Sequence, residues 1–523
     1  MSPDLCIYGG TSAGVVAAVT AAKAGRSVLL VEPGRHLGGM TSGGLGFTDF
    51  GKKPAVGGLS REFYRRVGKH YHADEAWLFE PHVAEQVFKQ WLVEANVKVL
   101  LEHRLAEVEK ESGRIKRILL AHVPSDEFNA PGPSTHLREH VTVEAAIYID
   151  AGYEGDLMAG AKVSYTVGRE SISKYGELLN GIRDHTPKHQ FPVAVDPYLK
   201  AGDPSSGLLP LIQPGDGGAP GDRDHRVQAY NFRLCLTRRR SSRIPIAPVG
   251  GYEPSTFELL ARYLDALVAA GKSGSIALPL KIDAVPNEKT DINNNGAVST
   301  DFIGESWRYP DGDYDLRRKI WHAHLRYTQG LLHFLATDPR IPRNLRQEMA
   351  AWGLCKDEFA DTGGWPHQLY VREARRMVSS YVITQAVCEH KRTVDDSIGL
   401  ASYNMDSHNC QRVVQHGVVR NEGDVQAPPA GPYPISYMAI APKADECENL
   451  LVPVCLSASH IAYGSVRMEP VFMQLGQSAA TAACLALERK TSVQDVNVQS
   501  LQHRLLDAGQ VLAAPKSAES RPR

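Results

Sequence analysis

Three features of the first 50 residues predict an α/β fold built on a parallel sheet. Leu5-Cys6-Ile7-Tyr8 is a short apolar run, and Gly9-Gly10-Thr11-Ser12-Ala13-Gly14 is a glycine-rich turn. Val15 to Gly25 is a small-residue helix leading to a second apolar run, Val28-Leu29-Leu30-Val31, closed by Glu32. A βαβ unit that cradles a dinucleotide needs each part. Glycines let the backbone approach a pyrophosphate, the helix N-terminus offers N–H donors, and the acid accepts from a ribose hydroxyl. Glu32 follows Gly14 by 18 residues, near the spacing of about 20 in the dinucleotide fingerprint. Thr11 stands where the strict pattern has glycine, while Ala13, Ala17 and Ala18 keep the helix–sheet contact close. The expected fold is a Rossmann-like dinucleotide domain, discontinuous in sequence, with an inserted α+β substrate or cap region.

The segment after Glu32 narrows the choice of dinucleotide. Pro33 to Gly46 contains six glycines, too many for a helix when each costs about 1 kcal/mol against alanine. It reads as a loop running close to something flat or charged. The interleaved Arg35, His36, Leu37 and Met40 distinguish it from a polar Gly/Ser linker. A Gly-Gly loop at this place suits a flavin and its ribityl chain. The expected cofactor contacts are Gly9, Gly10, Thr11, Ser12, Ala13, Gly14, Glu32, Arg35, Gly38, Gly39, Met40, Thr41 and Ser42.

Several blocks in order resemble one family. They are His36–Gly46, Phe79–Ala84, Ile149–Ala159, Tyr165–Glu170, Leu369–Glu373, Tyr403–His408 and Leu450–Ala483. The chain is similar, from about Asp4 to about Leu487, to FAD-dependent oxidoreductases of the glutathione-reductase structural class, whose members include xanthan-lyase-like proteins. The resemblance implies FAD as cofactor and the Rossmann-type fold, and it adds Ala151, Asp156 and Glu469 as cofactor-site residues. It leaves the substrate unnamed. The family has histidine at position 36, which leaves a covalent flavin bond at His36 open.

Composition fits a globular enzyme. Of 523 residues, 43% are apolar and 22% charged, with a formal net charge of −1. These are near globular averages, and the balance offers no partner role with nucleic acid or a membrane surface. The expected partner is a small-molecule substrate, with the chain a monomer or homo-oligomer. No apolar run reaches the 18 or so residues of a membrane span, and no basic-plus-apolar leader precedes Asp4, so the cytoplasm is the expected location. The eight cysteines form no C-x-x-C pair, which leaves zinc ribbons, dithiol motifs and clustered iron–sulfur ligation unsupported. Cys6 and Cys484 are expected as buried, inert thiols.

The expected organisation is an N-terminal part of the FAD domain over residues 1–160, an inserted substrate or cap region over 161–395, a return to the FAD domain over 396–495, and a partly flexible tail over 496–523. Pro81 to Val97 reads as an amphipathic helix. Leu105–Val108, Ile115–Leu120, Val141–Ile149, Tyr230–Leu236 and Leu450–Val454 read as strands, and Tyr314–Leu335, Leu345–Trp352 and Met468–Glu488 as helices. Pro124–Arg138 reads as an exposed polar loop.

Flavin carries out the redox step, so the protein must position a substrate carbon and manage a proton or developing charge. Ser459 to Glu469 reads as a loop just before the terminal helix. Within it, His460 and Tyr463 are candidates for proton transfer and Arg467 for binding an anion, although Arg467 and Glu469 could instead satisfy each other. His408, in Asp406-Ser407-His408, is a further catalytic candidate; sequence-adjacent residues do not build a hydrolytic triad, whose parts come from separate elements. If Tyr370–Arg376 is helical, Arg372, Arg375 and Arg376 share a face, and Arg372 could hold a substrate carboxylate. Asp291–Asp301 has calcium-loop spacing but Phe302 replaces the closing glutamate, so it reads as an Asn/Gly turn with no metal. The expected activity is hydride transfer from a sugar, alcohol or hydroxy acid to flavin. The alternatives are a redox-neutral, lyase-like elimination or isomerisation on bound FAD, or a non-catalytic FAD module of an electron-transfer complex.

Overall fold

A computed structural model describes residues 1–186, 188–247 and 250–514. Its organising element is a parallel sheet of five strands: β1 (Leu5–Tyr8), β2 (Val28–Val31), β3 (Lys98–Leu100), β4 (Ile147–Asp150) and β5 (Leu450–Leu451), in spatial order β5-β4-β1-β2-β3. β1, β2 and β4 are fully buried apolar runs, as a parallel sheet covered on both faces requires. β5 arrives from 300 residues further on and pairs with β4 through Leu450↔Tyr148 and Leu451↔Ile149, so the domain is discontinuous.

Helix α1 (Ser12–Lys23) is capped by Thr11, whose side chain accepts from the Gly14 N–H. It is buried on both sides because the C-terminal helix crosses it. A Cβ on Gly476 of that helix would lie 2.3 Å from the Ala13 carbonyl oxygen, so only glycine permits this approach. An antiparallel layer of His103–Glu111, Arg114–His122 and Glu139–Val143 adjoins the parallel sheet. A second five-stranded sheet, Arg243–Pro245, Gly353–Cys355, Leu236–Thr237, Lys289–Asn294 and Leu280–Val285 in spatial order, lies in the middle of the chain. Helix α2 (Tyr314–Thr337), α3 (His460–Val466) and α4 (Glu469–Arg489) complete the elements that position the site.

The structure corrects several element assignments. Ser459–Glu469 is not a loop: Ser459 caps α3 by accepting from the Ala462 N–H, and the turn at Arg467 and Met468 leads into α4. Tyr370–Arg376 is not helical. It runs extended, with Tyr370 bridged to Asn231 and Arg376 paired with Thr166, so its side chains alternate instead of sharing a helical face. Tyr230–Leu236 is strand only at its end, because Asn231 and Leu234 make isolated bridges to different partners. The strand at 450 stops after Leu451, since Pro453 has no N–H to donate to a ladder. Within the glycine loop, Gly39–Ser42 forms one helical turn. Pro124–Arg138 is not wholly exposed: Asn129 and Ala130 are buried because Asn129 bonds the Arg35 N–H and the His367 carbonyl.

All eight cysteines are buried, and burial pushes the Cys6 thiol up to about 12. Among the described residues no helix is long and apolar enough to cross a membrane. In the tail, Val498–Asp507 is a helix that buries Leu501 and Leu505; residues 515–523, where flexibility was expected, lie outside the described residues.

The crossing of α1 and α4 yields a first test. Gly476→Val should destabilise the protein by about 1–3 kcal/mol, the usual cost of overpacking, measured as a lower denaturation midpoint than wild type. An unchanged midpoint would mean the two helices do not meet this closely.

Candidate functional site

Two neighbouring turns build a long cleft at the carboxyl ends of β1, β2 and β4, where open α/β sheets bind ligands. Gly9 (φ +102°) ends β1 and would place a Cβ 2.5 Å from the Gly152 N–H nitrogen, so the turns after β1 and β4 touch through bare backbone. A Cβ on Gly14 would lie 1.9 Å from the Gly9 carbonyl oxygen. The cleft encloses about 910 Å³ including its open mouth, and is lined by Gly9, Thr11, Glu32, Gly34, Gly39 and Gly152 along its floor. α1 begins at Ser12 beside it, bringing the positive end of a helix dipole to the wall.

Glu32 lines the cleft and closes its own turn. Its carboxylate accepts from the N–H of Gly10 (2.7 Å) and of Gly34 (2.6 Å). Burial raises its pKa to about 7, against the lowering effect of those two bonds. Asp150 is likewise raised to about 7 by burial, and it bonds the N–H groups of Gly152 and Met158. Asp156 lines the cleft but is already held: Arg317 grips both its oxygens (2.7 and 2.9 Å) and Arg375 adds a third bond. Burial opposes its ionisation, yet the two guanidiniums hold its pKa at about 2.

The other expected cofactor residues lie behind the lining. Ser12 and Thr41 donate to the carboxylate of Glu469 (2.6 and 2.7 Å), and Tyr153 donates to its second oxygen (2.9 Å). Met40 donates its N–H to the Tyr153 hydroxyl, and the Thr11 hydroxyl donates to the Ala151 carbonyl. Ser42 bonds the Leu37 carbonyl (2.6 Å), and Gly38 donates to the Gly10 carbonyl. Gly10 and Ala13 pack beneath the turn. Arg35 does not reach the cleft, because it pairs with Asp361 (3.1 Å) and bonds the Asp126 carbonyl. These are shaping residues, whereas Tyr8, Arg104, Asn129, Tyr309, Tyr314 and His367, which line the cleft, carried no recognisable sequence signal. They come from five separate segments.

A second polar centre lies beside the glycine loop, where a Cβ on Gly44 would meet the Arg233 carbonyl oxygen at 2.0 Å. Arg372, His408 and Arg467 meet here. His408 Nδ1 is 2.7 Å from Asp301 Oδ2, and its Nε2 is 3.6 Å from Asp406. Arg372 pairs with Asp301 (3.1 Å) and Arg467 with Asp406 (3.1 Å). Asp406 entered the sequence reading beside His408, and Asp301 as the end of a calcium-like loop, but neither as a partner of His408, and Asp424 carried no signal; folding places all three beside it.

His460 and Tyr463 are corrected as proton-transfer candidates. Both His460 ring nitrogens are committed inside the protein, Nδ1 to Glu373 (2.7 Å) and Nε2 to Ser407 (3.0 Å). Tyr463 donates to the Val454 carbonyl, and burial pushes its pKa well above the usual tyrosine value. The two partners of His460, Ser407 and Glu373, adjoin His408 and Arg372 in sequence. Glu469 and Arg467 do not pair with each other: each has its own partners. The Asp291 segment is no calcium loop, since both Asp291 oxygens grip Arg233 (2.7 Å each). A different trio, Glu80, His82 and Glu358, has metal-ligand proximity, but Lys289 Nζ sits 2.6 Å from both glutamates and supplies the positive charge.

The family model described as FAD dependent oxidoreductase matches residues 4–505. The chain belongs to the FAD-dependent oxidoreductase family. No curated protein matches it. Similar solved structures include the anhydrotetracycline hydroxylase OxyS of Streptomyces rimosus, at 14% identity over 41% of this chain and 40% of that one, TM-score 0.23. THI4 of Thermovibrio ammonificans matches at 20% identity over 32% and 66%, TM-score 0.24. The L-amino acid deaminase of Proteus vulgaris matches at 13% over 32% and 52%, TM-score 0.24. The chain spans less than two thirds of each of these structures.

The family's cofactor is FAD, and the cleft fits it on its own geometry: a backbone-only meeting of two turns for a pyrophosphate, a helix N-terminus beside it, and the Glu32 carboxylate in its lining. His36 lines the cleft, its Nδ1 bonded to Glu85 (3.0 Å) and its ring stacked 3.9 Å from His367, while Nε2 lies 3.0 Å from Asp361 without a hydrogen bond. Only Nδ1 is committed by a hydrogen bond, so a flavin bond through Nε2 stays open. Acid precipitation decides it: flavin released to the supernatant is non-covalent, and a yellow pellet places a covalent bond. Gly14→Val should yield folded protein with less than a tenth of the wild-type flavin content, read from the flavin-to-protein absorbance ratio.

Proposed function

We propose that this flavoenzyme oxidises a small polar metabolite by hydride transfer to FAD, with the substrate seated at the polar centre around Arg372, His408 and Arg467. The observation that carries this reading is the concentration of ionised groups beside the flavin loop. Arg233, Asp301, Arg372, Asp406 and Arg467 come from distant segments and are nearly all buried. Burying charge is costly unless every group is paired, so a fold gathers such a set where chemistry requires it.

FAD, when bound, supplies a ring that takes up the two electrons of a hydride. The chain's own residues must bind the substrate, exclude water and hold a proton. His408 is the best-placed proton holder. Burial and Arg372 lower its pKa, but Asp301 and Asp406 outweigh them and leave it raised. Asp424 lies across the strand pair from it, one step beyond the Ser407↔Val425 register. Both Asp424 oxygens are buried without a partner, and burial raises its pKa to about 7. A carboxyl that titrates near neutrality beside an imidazole suits proton exchange at working pH.

Anaerobic mixing with candidate metabolites should bleach the flavin with at least one of them, and a bound flavin that no metabolite bleaches would favour redox-neutral chemistry. His408→Asn should retain FAD while slowing that bleaching by at least about 100-fold, the lower range for an acid–base residue. Asp424 has a folded-state pKa above its unfolded value, so its contribution to stability is present at low pH and lost as pH rises through about 7. Asp424→Asn should therefore lose less stability than wild type between pH 5.5 and 8, measured by thermal unfolding at each pH, with about 1.4 kcal/mol for each unit of pKa difference removed.

A further inference from the structure

We infer that the substrate carries a carboxylate, bound at a niche formed by Arg233, Tyr370 and Arg467 next to Asp49 and Tyr403. This rests on the oxidoreductase reading above and names the substrate class that reading leaves open.

The niche is defined by groups that the protein itself does not fully use. Arg233 commits Nε and Nη2 to Asp291. Its Nη1 is left with Asp49 as nearest carboxylate, at 4.0 Å, beyond hydrogen-bond reach. Arg467 commits Nη2 to the carbonyl and carboxylate of Asp406, while its Nε is buried with no partner. The Nε of Arg372 is buried and unpartnered as well. Arg233 and Arg372 both lie against the Tyr370 ring, at 5.4 and 4.9 Å from its centre. Arg233 and Arg467 are both at least nine-tenths buried, so their unspent donors are not those of solvated surface arginines.

The charges are close to balanced, so the unspent donors and not a net charge carry the inference. Four positive groups meet here: Arg233, Arg372, Arg467 and, when protonated, His408. Asp291 is spent on Arg233, Asp301 is shared between Arg372 and His408, and Asp406 is shared between Arg467 and His408. Asp49, with 23% of its side chain exposed, accepts from the Tyr403 hydroxyl at 3.1 Å and marks the open side. Its charge, more than burial, pushes the Tyr403 hydroxyl up. A carboxylate answers the unspent donors of two guanidiniums and a phenol far better than a neutral polyol does. The neighbouring Asp49 would then face the other polar end of the same molecule, such as a hydroxyl or an ammonium.

The test uses holoprotein and follows the visible flavin spectrum during titration with lactate, malonate and benzoate, against glycerol and methyl lactate as neutral probes. Carboxylates should perturb the spectrum at concentrations at least tenfold lower than neutral probes. Arg467→Gln and Arg233→Gln should weaken that binding at least tenfold. Because both arginines are buried and these variants could misfold, Tyr370→Phe serves as the conservative partner; it should keep the wild-type flavin content and still weaken carboxylate binding severalfold. Flavin-loaded protein that binds neutral probes as well as carboxylates, or binds carboxylates unchanged in all three variants, overturns the inference and leaves the oxidoreductase reading standing. Wild-type protein that carries no flavin and takes none up overturns both.

Discussion

The buried carboxylate of Glu469 is the constraint on which the cofactor cleft depends. It opens α4 and accepts from Ser12 on α1, Thr41 in the glycine loop and Tyr153 after β4. Three segments that are far apart in sequence are thus tied to one side chain. An isolated buried carboxylate would be prohibitive, but three hydroxyl donors and the N-terminal end of α4 compensate it. Each donor also serves the cleft: Ser12 starts the helix at the phosphate turn, Thr41 sits in the flavin loop, and Tyr153 receives the Met40 N–H. A Cβ on Gly39 would strike the Tyr153 hydroxyl at 2.2 Å, so the loop can settle only in the shape this hub allows.

The polar centre follows a different logic. Its arginines and aspartates form alternating pairs, Arg233 with Asp291, Arg372 with Asp301 and Arg467 with Asp406. Buried pairs of this kind add little net stability compared with apolar packing, and breaking one costs far more than it gained. Their value lies in rigid placement. Arg376 and Glu373, joined at 2.8 Å and both wholly buried, hold the extended 370s segment from behind, and His460 braces Glu373 and Ser407 together. His460 thus ties the 370s segment to the strand that carries Ser407.

The positions where sequence reasoning departed from the structure share a cause. Ser459–Glu469 is dense in polar and ionisable residues, which suggests a loop, yet α3 forms because its polar groups find buried partners. The alternation in Tyr370–Arg376 was masked by three arginines at helical spacing, and tertiary pairing with Asn231 and Thr166 decided the extended form. Pro124–Arg138 is polar and proline-bearing, but Asn129 turns inward because the Arg35 N–H and His367 carbonyl need a partner there.

What the sequence by itself determined is local and periodic. The βαβ unit, the glycine turn, Glu32, the flavin loop and the family blocks are each written within about ten to thirty contiguous residues, where spacing and backbone sterics act directly. The long α4 helix was legible for the same reason. Only the tertiary structure decided which ionisable groups meet: Asp49 with Arg233, Asp301 with His408, Asp406 with Arg467, and Asp424 left without a partner. Pairing across hundreds of residues leaves no periodic trace, because an isolated Asp or Arg reads the same whether it will face water or a buried counter-charge.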